Sequence, residues 1–315
     1  MERRNDVTAR RWILTFLCVL TLITLGLVGA FVDAAWIATR PNYPEEIRDP
    51  SWRVQDRGFQ LHDTSCDVLI YGDSTASIGL DPRVIHATTG LSACNISAVR
   101  PVVDDLGLVP VDAFLEKNPK PRFLVLHFGP ELFYRKVSWD HSSPGAPIVM
   151  LLRDMPKSEA IAAVLRHPGG AMQFVQFIFQ NRLRRPGPDD ERRHQAYLKQ
   201  IIAWQASGGL LSIDGVAQTN CAMPPATLYG PLDVKWIAGL RSKYQAMGIH
   251  VIVEASAVPT CDPQLAKFQQ ELKPYLDAPV ETLPIQVFYA GNRHTNAAGT
   301  RQMSQRLAAL IEARL

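Results

Sequence analysis

The sequence predicts an α/β domain, a mostly parallel sheet between layers of helix, carried on one N-terminal transmembrane helix. Three observations lead there. Short apolar runs at 68–71, 123–128 and 249–254 read as buried strands. Stretches with helical spacing lie between them, and such alternation implies parallel strands with helices on both faces. From Trp12 to Val32, 21 residues pass without a charged side chain, enough to cross about 30 Å of hydrocarbon at about 1.5 Å per residue.

The flanks of that stretch orient it. Arg3, Arg4, Arg10 and Arg11 precede it, and Asp33, Glu45, Glu46 and Asp49 follow. The positive-inside rule puts residues 1–11 in the cytoplasm and the bulk of the chain outside. The expectation is a single-pass protein of the inner, cytoplasmic membrane with a periplasmic domain. A cleaved signal peptide is the rival reading, but its apolar core usually runs about 7–15 residues, shorter than the 12–32 stretch. Residues 33–65, with Pro41, Pro44 and Pro50, read as a juxtamembrane linker, and 66–315 as the extracytoplasmic domain.

The elements follow in order. Val68–Tyr71 is the first strand, running into Gly72-Asp73-Ser74. Asp81-Pro82 opens a helix, an acid at the N-cap and proline at the first helical position, and Gly90 closes it. A weak strand at 93–97, a helix around 111–117 stopped by Asn118-Pro119, and the strand 123–128 come next. Residues 135–230 break the rhythm and read as a helical insertion, with patches around 157–167, 170–182 and 190–205. Ile237, Leu240, Tyr244 and Met247 then mark one helical face, capped by Gly248. The strand 249–254, a weaker strand at 286–289 and a last helix with Met303, Leu307, Leu310 and Ile311 inward complete the domain.

Composition narrows the function classes. A net charge of +3 gives no case for nucleic acid as a partner. No phosphate loop, dinucleotide fingerprint or metal-ligand cluster is present in the sequence, so no cofactor and no metal are expected. Outside the apolar span stand Cys66, Cys94, Cys221 and Cys261, an even number suited to an oxidising compartment, where four cysteines allow three pairings. Cys66 and Cys94 each introduce a candidate strand, and Cys221 and Cys261 each sit in a proline-containing loop, so 66–94 and 221–261 are the pairs expected.

Two polar residues stand where chemistry is expected. In open α/β sheets functional groups gather at the carboxyl ends of strands. Ser74 follows the first strand, at a turn into helix where backbone N–H groups can hold an oxyanion. Read alone, it is equally a turn or N-cap serine. His294, in Asn292-Arg293-His294-Thr295-Asn296, precedes the last helix and lies at the same sheet edge, placed to act as base toward Ser74. His127, inside an apolar strand, reads as a hydrogen-bonded core histidine. The run Arg182, Arg184, Arg185, Arg192, Arg193, interrupted by Asp189, Asp190 and Glu191, reads as a solvated face, with anionic headgroups as the alternative contact. The stretch 172–179 reads as helix core.

These blocks resemble the SGNH/GDSL hydrolase superfamily, and within it membrane-anchored members that modify envelope polymers, DltD-like and alginate-acetylation-like. Gly72-Asp73-Ser74 matches the nucleophile block, Ile78-Gly79-Leu80-Asp81-Pro82 is common in anchored relatives, and 288–299, with Asn296 and Gly299 after the histidine, resembles the final block. The likeness covers 67–131 and 231–315. It implies a three-layer flavodoxin-like domain and a serine esterase or O-acyltransferase working through Ser74 and His294. The implied substrate is a cell-envelope polysaccharide or another acylated surface molecule, with a multispanning acyltransferase as an implied partner.

The departures are specific. Gly291 and Asn292 occupy the two positions where relatives carry the aspartate that orients the histidine, so Asn292 would orient the ring without charge. No glycine stands at 96–98, leaving the Ser97 N–H as the expected oxyanion donor beside that of Ser74. Gly129-Pro130-Glu131 replaces a Gly-x-Asn block: Gly129 is retained as an oxyanion position, and Glu131 becomes a candidate acid partner for His294. The alternative to an enzyme is therefore an SGNH-like binding or assembly module with weakened catalysis.

Overall fold

The computed structural model describes residues 2–38, 57–134, 202–211, 231–289 and 294–315, with scattered positions between 152 and 221. The chain divides into two compact units, one of Met1–Ile47 with Ser142–Arg185 and one of Arg48–His141 with Pro186–Leu315. The expected insertion at 135–230 and the basic run at 182–193 lie largely outside the described residues.

In the first unit, helix α1 covers Glu2–Ala38, and its stretch Arg11–Trp36 is long and apolar enough to cross a membrane. The helix continues six residues past the span expected from the sequence, so the first part of the anticipated linker is helical. Phe174 is buried in this unit, its ring edge-on to Phe31 at 5.8 Å, whereas Met172 is exposed.

The second unit is α/β. After the short helix α2 (Arg57–Gln60), its strands β1 (Val68–Gly72), β2 (Ala93–Asn95), β3 (Phe123–Phe128) and β4 (His250–Ala255) form one parallel sheet in the order β2-β1-β3-β4. The register sets Gly72 beside His127 and His127 beside Glu254. β1 and β3 are buried along their whole length, which explains their unbroken apolar runs.

Side-chain alternation divides the core in two. Leu69, Tyr71, Leu124, Leu126, Val251 and Val253 pack on one face with helices α5 (Arg100–Leu106), α6 (Val109–Lys117) and α7 (Val234–Ala246). Val68, Ile70, Phe123, Val125 and Ile252 pack on the other with α3 (Ser74–Gly79) and α4 (Pro82–Thr89) and with Met303, Leu307 and Ile311 of the last helix. Helices thus cover both faces. The chain leaves β1 toward β2, then returns past it to β3, so the carboxyl ends of β1 and β3 flank the crevice where such sheets carry their sites.

Two expected elements differ. Residues 286–289 do not join the sheet: Ile285–Val287 is a 3-10 turn, and Phe288 and Tyr289 make only isolated antiparallel bridges to Thr295 and Ala217. The second half instead adds a small parallel pair, β5 (Val258–Pro259) with β6 (Thr282–Leu283), around α8 (Leu265–Leu272), before the last helix α9 (Ala297–Glu312). Two disulfides join Cys66 to Cys94 and Cys221 to Cys261, with Cα atoms 5.8 and 6.1 Å apart, comfortable distances for the bond.

Candidate active site

Ser74 is the first residue of α3, one position beyond Asp73, which caps that helix. Asp73 Oδ1 accepts the Thr75 N–H at 2.9 Å and the Thr75 hydroxyl; Oδ2 accepts the Gly129 N–H at 3.0 Å and so ties the end of β1 to the end of β3. The approach requires glycine at position 72 and is tight at position 129. A Cβ on Gly72 would overlap the His127 carbonyl oxygen, and one on Gly129 would stand 3.0 Å from Glu131 Oε1 and 3.1 Å from Asp73 Oδ2. The carboxyl groups of Asp73 and Glu131 therefore converge over Gly129. Burial raises the pKa of Asp73 above the usual carboxylate range; its hydrogen bonds with Thr75 oppose the rise, and the neighbouring Glu131 charge adds to it.

The loop that carries His294 is held from both sides. The Tyr289 N–H donates to the His294 carbonyl at 2.9 Å, and the Asn296 N–H to Val287 O at 2.8 Å. Asn296 caps α9 through Oδ1, which accepts the N–H groups of Ala298 and Gly299, while its Nδ2 donates to Gln286 O at 2.8 Å. A Cβ on Gly299 would lie 2.8 Å from Val287 O, so the helix start can approach this loop only with glycine there. The Thr300 hydroxyl donates to Ile78 O at 3.0 Å, and the Asp81 N–H to Ser304 Oγ at 2.8 Å, locking α9 against α3 and the start of α4.

The result is a contact of 2.8 Å between His294 Nε2 and Ser74 Oγ. In the tautomer with its proton on Nδ1, the imidazole accepts the serine hydroxyl. Burial pushes the His294 pKa below its ordinary value of 6.5, and the Glu131 charge pulls the other way. The ring is thus held neutral near pH 7, the state a general base requires.

The supporting positions are arranged differently from expectation. The Ser97 N–H is taken by Asn95 Oδ1 at 3.0 Å, and the Gly129 N–H by Asp73. Of the three expected oxyanion donors, only the Ser74 N–H lacks a protein acceptor among the described residues. Asn292 lies outside the described residues. Glu131, in the 3-10 turn Pro130–Phe133 after β3, acts electrostatically on both Asp73 and His294. His127 is buried, but its Nδ1 stands 3.8 Å from Glu254 Oε2, beyond hydrogen-bonding reach, rather than being hydrogen-bonded as expected.

Two residues beyond the sequence reading shape the site. Asp73 is the cap and the cross-strand tie; the acid immediately before the serine at a strand-to-helix turn was its signal. Asn95, fully buried, donates through Nδ2 to Ala76 O at 2.9 Å and Leu80 O at 3.1 Å. Its only signal was an amide at the end of a short strand. No protein-family model, curated protein or solved structure matches this chain.

Proposed function

We propose that the chain is an SGNH-type serine esterase or O-acyltransferase, anchored by α1 and acting outside the cytoplasm on an envelope glycan or another acylated surface substrate. The observation that carries this reading is the 2.8 Å contact between Ser74 Oγ and His294 Nε2 at the carboxyl edge of the parallel sheet. The strand order β2-β1-β3-β4, with the serine directly after β1, agrees with a flavodoxin-like SGNH arrangement.

Ser74 Oγ attacks the acyl carbonyl carbon as its proton passes to His294 Nε2. The developing oxyanion faces the Ser74 N–H at the start of α3, where the helix dipole also favours negative charge. Collapse breaks the ester bond, and the leaving alkoxide takes the proton from Nε2. Water or a glycan hydroxyl then attacks the acyl-serine, with His294 again accepting the proton; collapse breaks the Ser74 Oγ–acyl bond, and Nε2 returns the proton to Oγ. Hydrolysis and transfer differ only in that last nucleophile. Glu131 supplies the negative charge that stabilises the imidazolium formed in each half. A serine-reactive fluorophosphonate tests the reading: wild type is expected to label and folded Ser74→Ala to remain unlabelled. Folded wild type that does not label sinks it.

The engaged N–H groups of Ser97 and Gly129 favour a second reading, an SGNH-like binding or assembly module with little turnover. That reading expects saturable binding of an acylated glycan with no labelling at Ser74.

A further inference from the structure

We propose that the stretch carrying Ile161 and Met172 lies on the non-cytoplasmic surface of the membrane, with those two side chains seated at the boundary between lipid headgroups and acyl chains. This rests on α1 spanning the membrane with its carboxyl end outside the cytoplasm, and not on the chemistry at Ser74. The span sets the level. Every residue of α1 from Arg11 to Gly29 is exposed. About 20 residues of helix cover about 30 Å, the thickness of the hydrocarbon, so a span that enters at Trp12 leaves it near Phe31. Protein cover on α1 begins at that level. Ala30, Phe31, Asp33 and Ala35 are half-buried and Ala34 is fully buried, while Val32 and Trp36, on the opposite side, stay exposed. Tryptophan is a side chain that favours such a boundary.

Phe174 packs at this level, fully buried and with its ring edge-on to Phe31 at 5.8 Å. The helical turn that holds Phe174 is therefore fixed at the exit of the span. Met172 stands two positions away, on the far side of that turn. A helix is about 10 Å across, so Met172 stays within about one helix diameter of the same level, and it is 53% exposed. Ile161, in the same unit, repeats the pattern: it is 50% exposed beside the fully buried Ala160. One face packed on protein and an apolar side chain left outward is the arrangement of a helix lying in the plane of the interface, seated about 5–10 Å into the boundary between headgroups and chains. The level favours lipid over a second protein as the occupant. The span beside these residues is bare from Arg11 to Gly29 and so already meets acyl chains. The sequence beyond Phe179 adds Arg182, Arg184 and Arg185, charges that suit anionic headgroups.

The test uses the full chain with Cys18→Ser, since Cys18 is the one cysteine outside a disulfide. Single substitutions Ile161→Cys, Met172→Cys and Leu20→Cys each carry an NBD fluorophore, and each protein is reconstituted into vesicles of phosphatidylcholine and phosphatidylglycerol. One set of vesicles holds lipid spin-labelled at the headgroup, the other lipid spin-labelled at the end of the acyl chain. Leu20 lies about 14 Å along the helix from Arg11, near the bilayer midplane, and its probe should be quenched mainly by the chain-end label. The probes at 161 and 172 should be quenched about twofold more strongly by the headgroup label than by the chain-end label, as seating of about 5–10 Å requires. Quenching at 20 with none at 161 and 172 overturns the proposal and leaves those side chains to water or a protein partner. Stronger quenching at 161 and 172 by the chain-end label also overturns it, because the segment then lies inside the hydrocarbon. Quenching at 161 and 172 with none at 20 removes the span and keeps the surface contact. No quenching at any of the three positions removes both.

Discussion

The side-chain carbonyl of Asn95 accepts the Ser97 N–H at 3.0 Å, while its amide donates to Ala76 O and Leu80 O on α3 and at its end. One buried side chain thus fastens the end of β2 to the short helix that begins at Ser74, and occupies the Ser97 N–H. Asn95→Ala removes three hydrogen bonds from a site closed to water. A loss of about 2–4 kcal/mol in unfolding free energy is expected, measured by urea denaturation of the second unit's tertiary signal. Asn95→Asp keeps the acceptor for Ser97 but sets a carboxylate against two carbonyl oxygens, and should destabilise at least as much.

Gly72 sits where β1 presses against β3 and the first turn of α3. A Cβ there would overlap the His127 carbonyl and come within 2.8 Å of the Ala76 Cβ. Backbone cannot yield without separating the paired strands. Gly72→Ala is therefore expected to cost about 1–3 kcal/mol or more, as overpacking does. It should also lower Ser74 labelling, because the strain falls on the turn that aims Ser74. A variant as stable and as reactive as wild type would contradict this account.

Strand positions were legible where burial is two-sided. β1 and β3 are buried throughout and β4 in all but its first residue, so their apolar runs announce them. β2 ends at Asn95, two residues earlier than its sequence suggests, although the Ile96 and Ala98 N–H groups still donate to Ile70 O and Gly72 O of β1; the Ser97 N–H turns instead to the Asn95 side chain. Residues 286–289 look strand-like by composition, yet after Pro284 they turn and pair only through single bridges. The helices α5 and α8 escaped notice because neither Val99 nor Gln264 makes a side-chain cap; the proline in the first turn of α5 was the start signal left unused there. Ser74 and His294 were legible because strand ends and helix starts have local signatures. The engagement of Ser97 and Gly129 was not, since it depends on side chains from Asn95 and Asp73 that only the folded register brings there.

The Cys66–Cys94 bridge closes a loop across 28 positions that contains β1, α3 and α4, and hence Ser74. Chain-entropy reasoning gives about 3–4 kcal/mol for a loop of this size. Reduction, or Cys66→Ser with Cys94→Ser, should lower stability by about that amount, read as a shifted urea midpoint. Since both sulfurs are buried beneath the first core face, the native arrangement of Ser74 should survive where the variant stays folded. Labelling in the folded baseline is then expected to persist.

The acid limb of the reaction reports the environment of His294. Only the neutral imidazole can accept the Ser74 proton, so activity falls as pH drops through the histidine's pKa. Burial holds that pKa below 6.5, which places the midpoint of the limb on the acid side of an ordinary histidine. Glu131 works against burial by favouring the imidazolium. Glu131→Gln removes that pull, so the midpoint should move further toward acid. At the plateau, loss of imidazolium stabilisation should slow the acylation step. The measurement is the rate of fluorophosphonate labelling against pH for wild type and Glu131→Gln, with unfolding followed in parallel across the same range. A midpoint that moves toward neutral pH, or does not move, would show that Glu131 exerts no such pull on His294.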